Sequence, residues 1–308
     1  MIITVTPNAA LDVTYEVDAL TRHTSHRVGT VTERAGGKGV NVAAVLATMG
    51  RDVLVTGLAG GASGARIRAD LDARGLRHDF AAADGESRRT LTVVSTSDGD
   101  ATVFNEPGPH QSPGAWQRLL DHVAALVTGS GARVVVLSGS LPPGCPQDGY
   151  AALVRRCHDE GAVVVLDADG DALRLGLAER PDLVKPNRVE LTETTGVEDI
   201  PLAVQALRDL GARDVVVSAG PDGLTWYAAD GSAVRARLHV SLDGNPTGAG
   251  DAVVAALAAG LAEGRPREDA VRDAVAWSAA AVLQPVAGEV DPSDVHRLEL
   301  QTLVEDER

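Results

Sequence analysis

Lysine is almost missing from this 308-residue chain: Lys38 and Lys185 are the only two, and the remaining long cationic side chains are arginine. Against that bias, each lysine marks a position that needs a compact ammonium rather than a guanidinium fork. Cysteine is equally scarce. Cys145 and Cys157 are too few for a disulfide framework and have no metal-ligand spacing, so both are expected as ordinary thiols in a reducing compartment. Positive charge is outweighed as well. A formal net charge of −15 argues against nucleic acid as a partner, although one pocket on an acidic protein can still be locally positive and take a small anion. Long apolar runs are lacking. Val271–Val286 is interrupted by Arg272, Asp273, Gln284 and Pro285, and the opening Met1–Pro7 has neither a basic region nor enough apolar length for a signal peptide. No membrane association is therefore expected, and a cytoplasmic location is. The eight histidines show no metal spacing and no pairing with Ser or Cys that would suggest covalent catalysis.

What is present is an ordinary globular composition, 44% apolar and 23% charged. Short β-branched runs alternate with Ala/Leu/Arg segments of helical period, the pattern of a parallel sheet covered by helices. Strands are predicted at Ile2–Thr6, Val53–Gly57, Val134–Ser138, Val163–Asp167, Leu183–Lys185 and Val215–Ser218. Helices are predicted at Val40–Met49, Ala65–Arg74, Pro113–Val127, Asp148–Glu160, Arg188–Thr194, Pro201–Leu210, Ala252–Ala262 and Glu268–Leu283. Two stretches break the alternation. Val13–Val17 with His26–Glu33, and Thr90–Thr96 with Ala101–Asn105, read as antiparallel strands that form either a small sheet over the site or an extension of the main sheet. The polar tail Gln301–Arg308 is expected to fray.

The segment Asn245-Pro246-Thr247-Gly248-Ala249-Gly250-Asp251 runs directly into the apolar Ala252–Leu261. Small residues where a loop becomes a helix leave N–H groups bare, and the helix dipole adds partial positive charge, so the turn suits an anion. An acid at the end of a loop that only held phosphate would be repelled by it. Asp251 therefore reads as the proton acceptor for a hydroxyl attacking that phosphate; the plainer alternative is a first-turn dipole partner. Gly36-Gly37-Lys38-Gly39-Val40-Asn41 opens another helix and is either an anion site or a tight turn; it fits neither the P-loop nor the dinucleotide fingerprint. Asp12, at a strand end, either accepts hydrogen bonds from vicinal hydroxyls or caps a turn. Ser138–Gly144 leaves a strand where open α/β sheets bind ligands, without nucleophile-elbow spacing, so Ser138 reads as a hydrogen-bonder. In Lys185–Glu190, Asn187 and Glu190 suit a hydrated Mg2+ or a capping box, two compatible readings. Ser218–Gly223 leaves a further strand through a turn suited to nucleotide phosphates or ribose.

In this order, from about Asn8 to Gln284, the segments resemble the PfkB (ribokinase-like) family of carbohydrate kinases. One family signature is matched by Gly36-Gly37-x-Gly39-x-Asn41-x-Ala43 with Gly50 and Gly60 following, the other by Asn245-Pro246-x-Gly248-Ala249-Gly250-Asp251 running into Ala255-Ala256. Pro7–Asp12, Lys38 among its glycines, Asn105–Pro109, Ser138–Gly144 and Lys185–Glu190 are similar to the phosphosugar kinases of the family, which act as 1-phosphofructokinase, tagatose-6-phosphate kinase or minor 6-phosphofructokinase. Pro246-Thr247 and Ala219 depart from that subgroup, which more often has Ser/Thr-Val/Thr and Leu there. The resemblance implies a single α/β domain over residues 1–308: a three-layer α/β/α sandwich with a small β-sheet lid from segments about 12–33 and 88–107. It further implies a homodimer that uses ATP and Mg2+. Carried over by position, it makes Asp251 the catalytic base and Gly248, Ala249 and Gly250 its anion hole. Asp12, Gly37 and Asn41 would hold sugar hydroxyls, and Lys38, Arg27, Arg88 and Ser138 the phosphate already on the sugar. Lys185, Asn187, Glu190, Ser218, Gly220 and Gly223 would serve nucleotide and metal. The implied reaction is phosphorylation of a ketohexose monophosphate, fructose 1-phosphate first. Its rivals are tagatose 6-phosphate or fructose 6-phosphate, an unphosphorylated sugar or nucleoside, and a non-catalytic sugar-phosphate sensor.

Overall fold

A computed structural model describes residues 1–307. β1 (Ile2–Thr6), β2 (Ala10–Val17) and β3 (Thr30–Gly36) lead into α1 (Lys38–Thr48), followed by β4 (Val53–Ala59), α2 (Gly61–Ala73) and the short β5 (Ala81–Ala82). β6 (Arg88–Ser95) and β7 (Ala101–Asn105) precede α3 (Pro113–Ser130), β8 (Val134–Ser138), α4 (Gly149–Asp159), β9 (Val163–Asp167), α5 (Gly170–Gly176) and β10 (Leu183–Val184). The remainder is α6 (Arg188–Thr195), α7 (Ile200–Asp209), β11 (Asp214–Ser218), β12 (Leu224–Tyr227), β13 (Ala233–Leu238), α8 (Ala249–Glu263), α9 (Arg267–Val282), α10 (Pro292–Glu299) and β14 (Thr302–Glu307).

A ten-stranded sheet of order β14-β13-β12-β11-β10-β9-β8-β1-β4-β5 forms the middle layer. It is parallel from β11 to β5, and β12, β13 and β14 continue it antiparallel. β1 and β8 are buried at every position, which is why Ile-Ile-Thr-Val-Thr and Val-Val-Val-Leu-Ser run on without polar alternation. Alternate side chains of these strands enter different cores. Ile3, Val135, Leu137 and Leu166 pack on one side with Trp116 of α3 and Tyr150 of α4. Ile2, Val134, Val136 and Val165 pack on the other with Val42 of α1, Val254 of α8 and Trp277 of α9. The result is the three-layer α/β arrangement expected from the sequence.

The two strand pairs that break the alternation form a separate four-stranded sheet, β3-β2-β6-β7, and not an extension of the large one. β2 pairs with β3 antiparallel and with β6 in parallel, so Asp12 lies between Arg34 and Thr90. Asp12 therefore stands inside a strand, not at a strand end.

The C-terminus corrects another expectation. Thr302–Glu307 does not fray but pairs along the whole of β13. Thr302 is buried, Val304 packs against the core and Leu303 is exposed, a two-residue alternation hidden among acidic neighbours. Arg308 lies outside the described residues. Among the described residues, no helix is long and apolar enough to cross a membrane.

Because the inner strands are parallel, Thr6, Ser138, Asp167, Lys185 and Ser218 all emerge at one edge, the edge at which open α/β sheets place ligands.

Candidate active site

α8 begins at Ala249, three positions ahead of the predicted Ala252, so Gly248 is its N-cap and Asp251 falls in the first turn. N–H groups of a first turn have no intrahelical acceptor. Here the Ala249 N–H donates to the Pro246 carbonyl at 3.2 Å, tying one of the anticipated anion-hole amides into the loop. Gly248 has φ +85°, and a Cβ there would stand 2.8 Å from Ala287, so no other residue fits. Asn245 is structural: its Oδ1 accepts from the Thr247 N–H at 3.0 Å, and its Nδ2 donates to the Pro285 carbonyl at 3.0 Å.

Asp251 is 8% exposed and accepts a 2.8 Å hydrogen bond from Asn41 Nδ2, one turn into α1. The first signature thus delivers a partner for the carboxyl of the second. Beneath them lies Asp167, the last residue of β9 and only 2% exposed. Lys185 Nζ stands 3.3 Å from its Oδ1 and Lys38 Nζ 3.8 Å from its Oδ2, while Ser138 Oγ donates to Oδ2 at 3.1 Å. Burial works against the charge on Asp167, but Lys185 and Lys38 outweigh it and hold this carboxyl below its ordinary range. Asp251 fares differently. Burial, reinforced by the nearby Asp167 charge, pushes it up to about 7 against the opposing pull of Asn41, Lys38 and Lys185. Two neighbouring carboxyls share two ammonium groups, and the pair goes mainly to Asp167. What remains at Asp251 is a carboxylate basic enough to take a proton near neutrality.

Lys38 is held above the usual ammonium range by Asp167, against burial, with help from Glu190, Asp251 and Asp169. It lines a cavity of about 520 Å³ together with Gly37, Arg88, Asn8 and Ser140. Arg88 comes from the start of β6, and its Nε donates to the Asn8 carbonyl at 3.0 Å. Asp12 adjoins this wall. Burial raises its carboxyl despite Thr90, Arg88 and Arg34, and Gly36 leaves the room it occupies, since a Cβ there would lie 1.9 Å from Oδ2. Two anticipated phosphate ligands are not brought to the cavity. Arg27 sits exposed between β2 and β3 and does not line it. Ser138 is fully buried and spends its hydroxyl on Asp167, leaving Gly139 and Ser140 as the wall.

On the other side, Asn187 and Glu190 build the capping box of α6: Asn187 Oδ1 accepts from the Glu190 N–H at 2.9 Å, and Glu190 Oε2 from the Asn187 N–H at 2.8 Å. Ser218 is adjacent, its N–H donating to the Pro186 carbonyl at 3.1 Å. Gly220 opens the following turn into free space, whereas Gly223 packs on the backbone of β13. Lys185, anticipated at the nucleotide, is buried beside the first turn of α8, its Nζ 3.8 Å from where a Cβ on Gly250 would sit.

Residues 5–294 match the pfkB family carbohydrate kinase model. The chain belongs to that family. Among solved structures it is similar to Escherichia coli phosphofructokinase-2 in complex with fructose-6-phosphate, at 27% identity and TM-score 0.88 over 97% of this chain and 98% of that one. A putative phosphofructokinase from Staphylococcus aureus aligns at 28% identity and TM-score 0.84 over 100% and 99%. A possible 1-phosphofructokinase from Thermotoga maritima shares the fold at TM-score 0.87 with 23% identity, covering 100% of both chains. This PfkB chain is accordingly an ATP-dependent carbohydrate kinase, moving a phosphoryl group to an alcohol acceptor on a ribokinase-like fold.

Sequence reading missed Asp167 in this PfkB kinase. A signal existed: Val-Val-Val-Leu-Asp, a continuous apolar run, ends on an acid, which is costly in a buried strand unless cations meet it, and the chain has only two lysines to offer.

Proposed function

We propose that the enzyme transfers the γ-phosphoryl of MgATP to a free hydroxyl of a ketohexose monophosphate, with fructose 1-phosphate yielding fructose 1,6-bisphosphate as the first choice. One juxtaposition carries this reading. Asp251, in the first turn of α8, lies close to Lys38, which together with Arg88 brings positive charge to the wall of the cavity. An unphosphorylated sugar needs no such pair of cations. Asp251 takes the hydroxyl proton as the acceptor oxygen bonds to phosphorus, and the bond from phosphorus to the ADP oxygen breaks. First-turn N–H groups of α8, with Gly250 at their centre, meet the charge on the transferring group, and the Lys185 ammonium supports them from below.

Mg2+ bound with the nucleotide would supply neutralisation of phosphate charge. Among the described residues no three His, Cys, Asp or Glu side chains form a metal cage. Glu190 uses only Oε2 in its capping box and is near enough to raise the Lys38 ammonium, so Oε1 fits a hydrated Mg2+ carried mainly on phosphate oxygens. Asn187, Ser218 and Gly220 suit the nucleotide on the same side. The four-stranded sheet, which supplies Arg88 to the cavity wall, serves as the lid that excludes water. Exposed Val31, Val103 and Phe104 on its strands support a homodimer built through it.

Fructose 6-phosphate is the second reading, favoured by the likeness to the E. coli enzyme crystallised with it. A coupled ADP-release assay over fructose 1-phosphate, fructose 6-phosphate, tagatose 6-phosphate and the free sugars, ranked by kcat/KM, tests the proposal; preference for a free sugar would overturn it. Lys38→Ala is expected to raise KM for the sugar phosphate by about 1–2 orders of magnitude and KM for ATP far less. Equal shifts in both would remove Lys38 from the sugar-phosphate side.

A further inference from the structure

Asn8 lines the cavity and bonds to three other segments of its wall, at Pro107, Ser140 and Arg88. It lies in the turn between β1 and β2 and is 6% exposed. Its Nδ2 donates to the Pro107 carbonyl at 3.1 Å and to Ser140 Oγ at 3.1 Å. Pro107 follows β7 of the four-stranded sheet, and Ser140 follows β8 of the large one. On the main chain of the same residue, the carbonyl accepts from Arg88 Nε at 3.0 Å. Gly108 closes over the amide so tightly that a Cβ there would meet Asn8 Oδ1 at 2.4 Å. Both amide protons are spent on protein, which leaves none to donate to a sugar. A buried amide satisfied this way is rigid, and its loss unties the two exposed segments that it holds together.

We propose that Asn8 is a positioning residue for the sugar-phosphate end of the site, pinning the segment after β7 to the loop after β8 and holding the carbonyl that aims Arg88 into the cavity. This rests on the sugar-phosphate reading above. Arg88 offers a guanidinium whose direction determines whether it meets a phosphate as a fork, and an arginine on a loosened anchor loses that geometry without losing its charge. Asn8 therefore acts through Arg88. Its effect belongs to the acceptor's affinity, because the nucleotide and Asp251 sit on other elements.

The test is steady-state kinetics of the full-length enzyme with its best sugar phosphate, for Asn8→Ala, Arg88→Ala and the double variant. Asn8→Ala is expected to raise KM for the sugar phosphate about tenfold or more while kcat and KM for ATP stay within about twofold, and to add less than about twofold in the Arg88→Ala background. Ser140→Ala, a milder change that removes one of the two acceptors, is expected to shift the same KM in the same direction by a smaller factor, and it serves where Asn8→Ala fails to fold. Parallel losses in kcat and in both KM values, or full additivity with Arg88→Ala, overturn the positioning role while leaving the sugar-phosphate reading intact. A wild-type enzyme that prefers a free sugar overturns both.

Discussion

Asp251→Asn is expected to lower kcat by about 10² to 10⁴, the contribution of a general base, with much smaller changes in either KM. The substitution is nearly isosteric, and the Asn41 amide, 2.8 Å from Oδ2, still finds a carbonyl oxygen to donate to. Geometry is thus retained while basicity is lost. The pH behaviour follows from the same carboxyl, which burial and Asp167 raise from 3.8 to about 7. Only the ionised form accepts a proton, so wild-type kcat/KM should climb with pH through about 7 and level off above it, a limb the variant lacks. Stability has the opposite sign. Between pH 4 and 7 the folded state holds a proton at Asp251 that the unfolded chain has released, so folding loses free energy as pH rises across that window. At pH 8 the variant should then be at least as resistant to urea as the wild type, which separates a catalytic loss from a folding one. Retained kcat would take Asp251 out of the mechanism.

Most of the frame was legible because buried parallel strands leave continuous β-branched runs and their helices end at glycines. Val134–Ser138 and Val163–Asp167 coincide with their predicted limits for that reason. Less legible were the antiparallel strands β12–β14, where Leu-Thr-Trp-Tyr and Thr-Leu-Val-Glu-Asp-Glu are short and too polar on one face to stand out from a loop. Helix starts suffered similarly: α8 begins on Ala249-Gly250-Asp251, residues that read as loop by composition but are helical because a helix N-terminus tolerates glycine and favours acid. At the site, motifs gave residue types but not partners. Nothing in the spacing of Asn41 and Asp251 says they touch, since 210 residues separate them. Nor could spacing pair Lys185 with Asp167; that required knowing that β9, which ends in Asp167, lies beside β10.

The buried pair of Asp167 and Lys185 yields the second large effect. Asp167→Asn takes from the Lys185 ammonium, 5% exposed, the carboxylate in contact with it and also frees Lys38. Removing one member of a buried pair costs about 3–5 kcal/mol because the other stays charged in a poor solvent. The urea midpoint should drop accordingly. Catalysis should change in a different way. Without the Asp167 charge, and with two lysines now drawn to Asp251, the acid limb of kcat/KM should move below its wild-type position near 7. Stability and pH profile then report on one carboxylate through independent measurements. Adding Lys185→Met to Asp167→Asn should recover much of the lost stability, since an apolar replacement removes the stranded charge. It should not restore kcat, because the support beneath the first turn of α8 goes with the ammonium. A wild-type urea midpoint for Asp167→Asn would show that the lysines find water or other partners, and the account of how Asp251 becomes basic would then rest on burial alone.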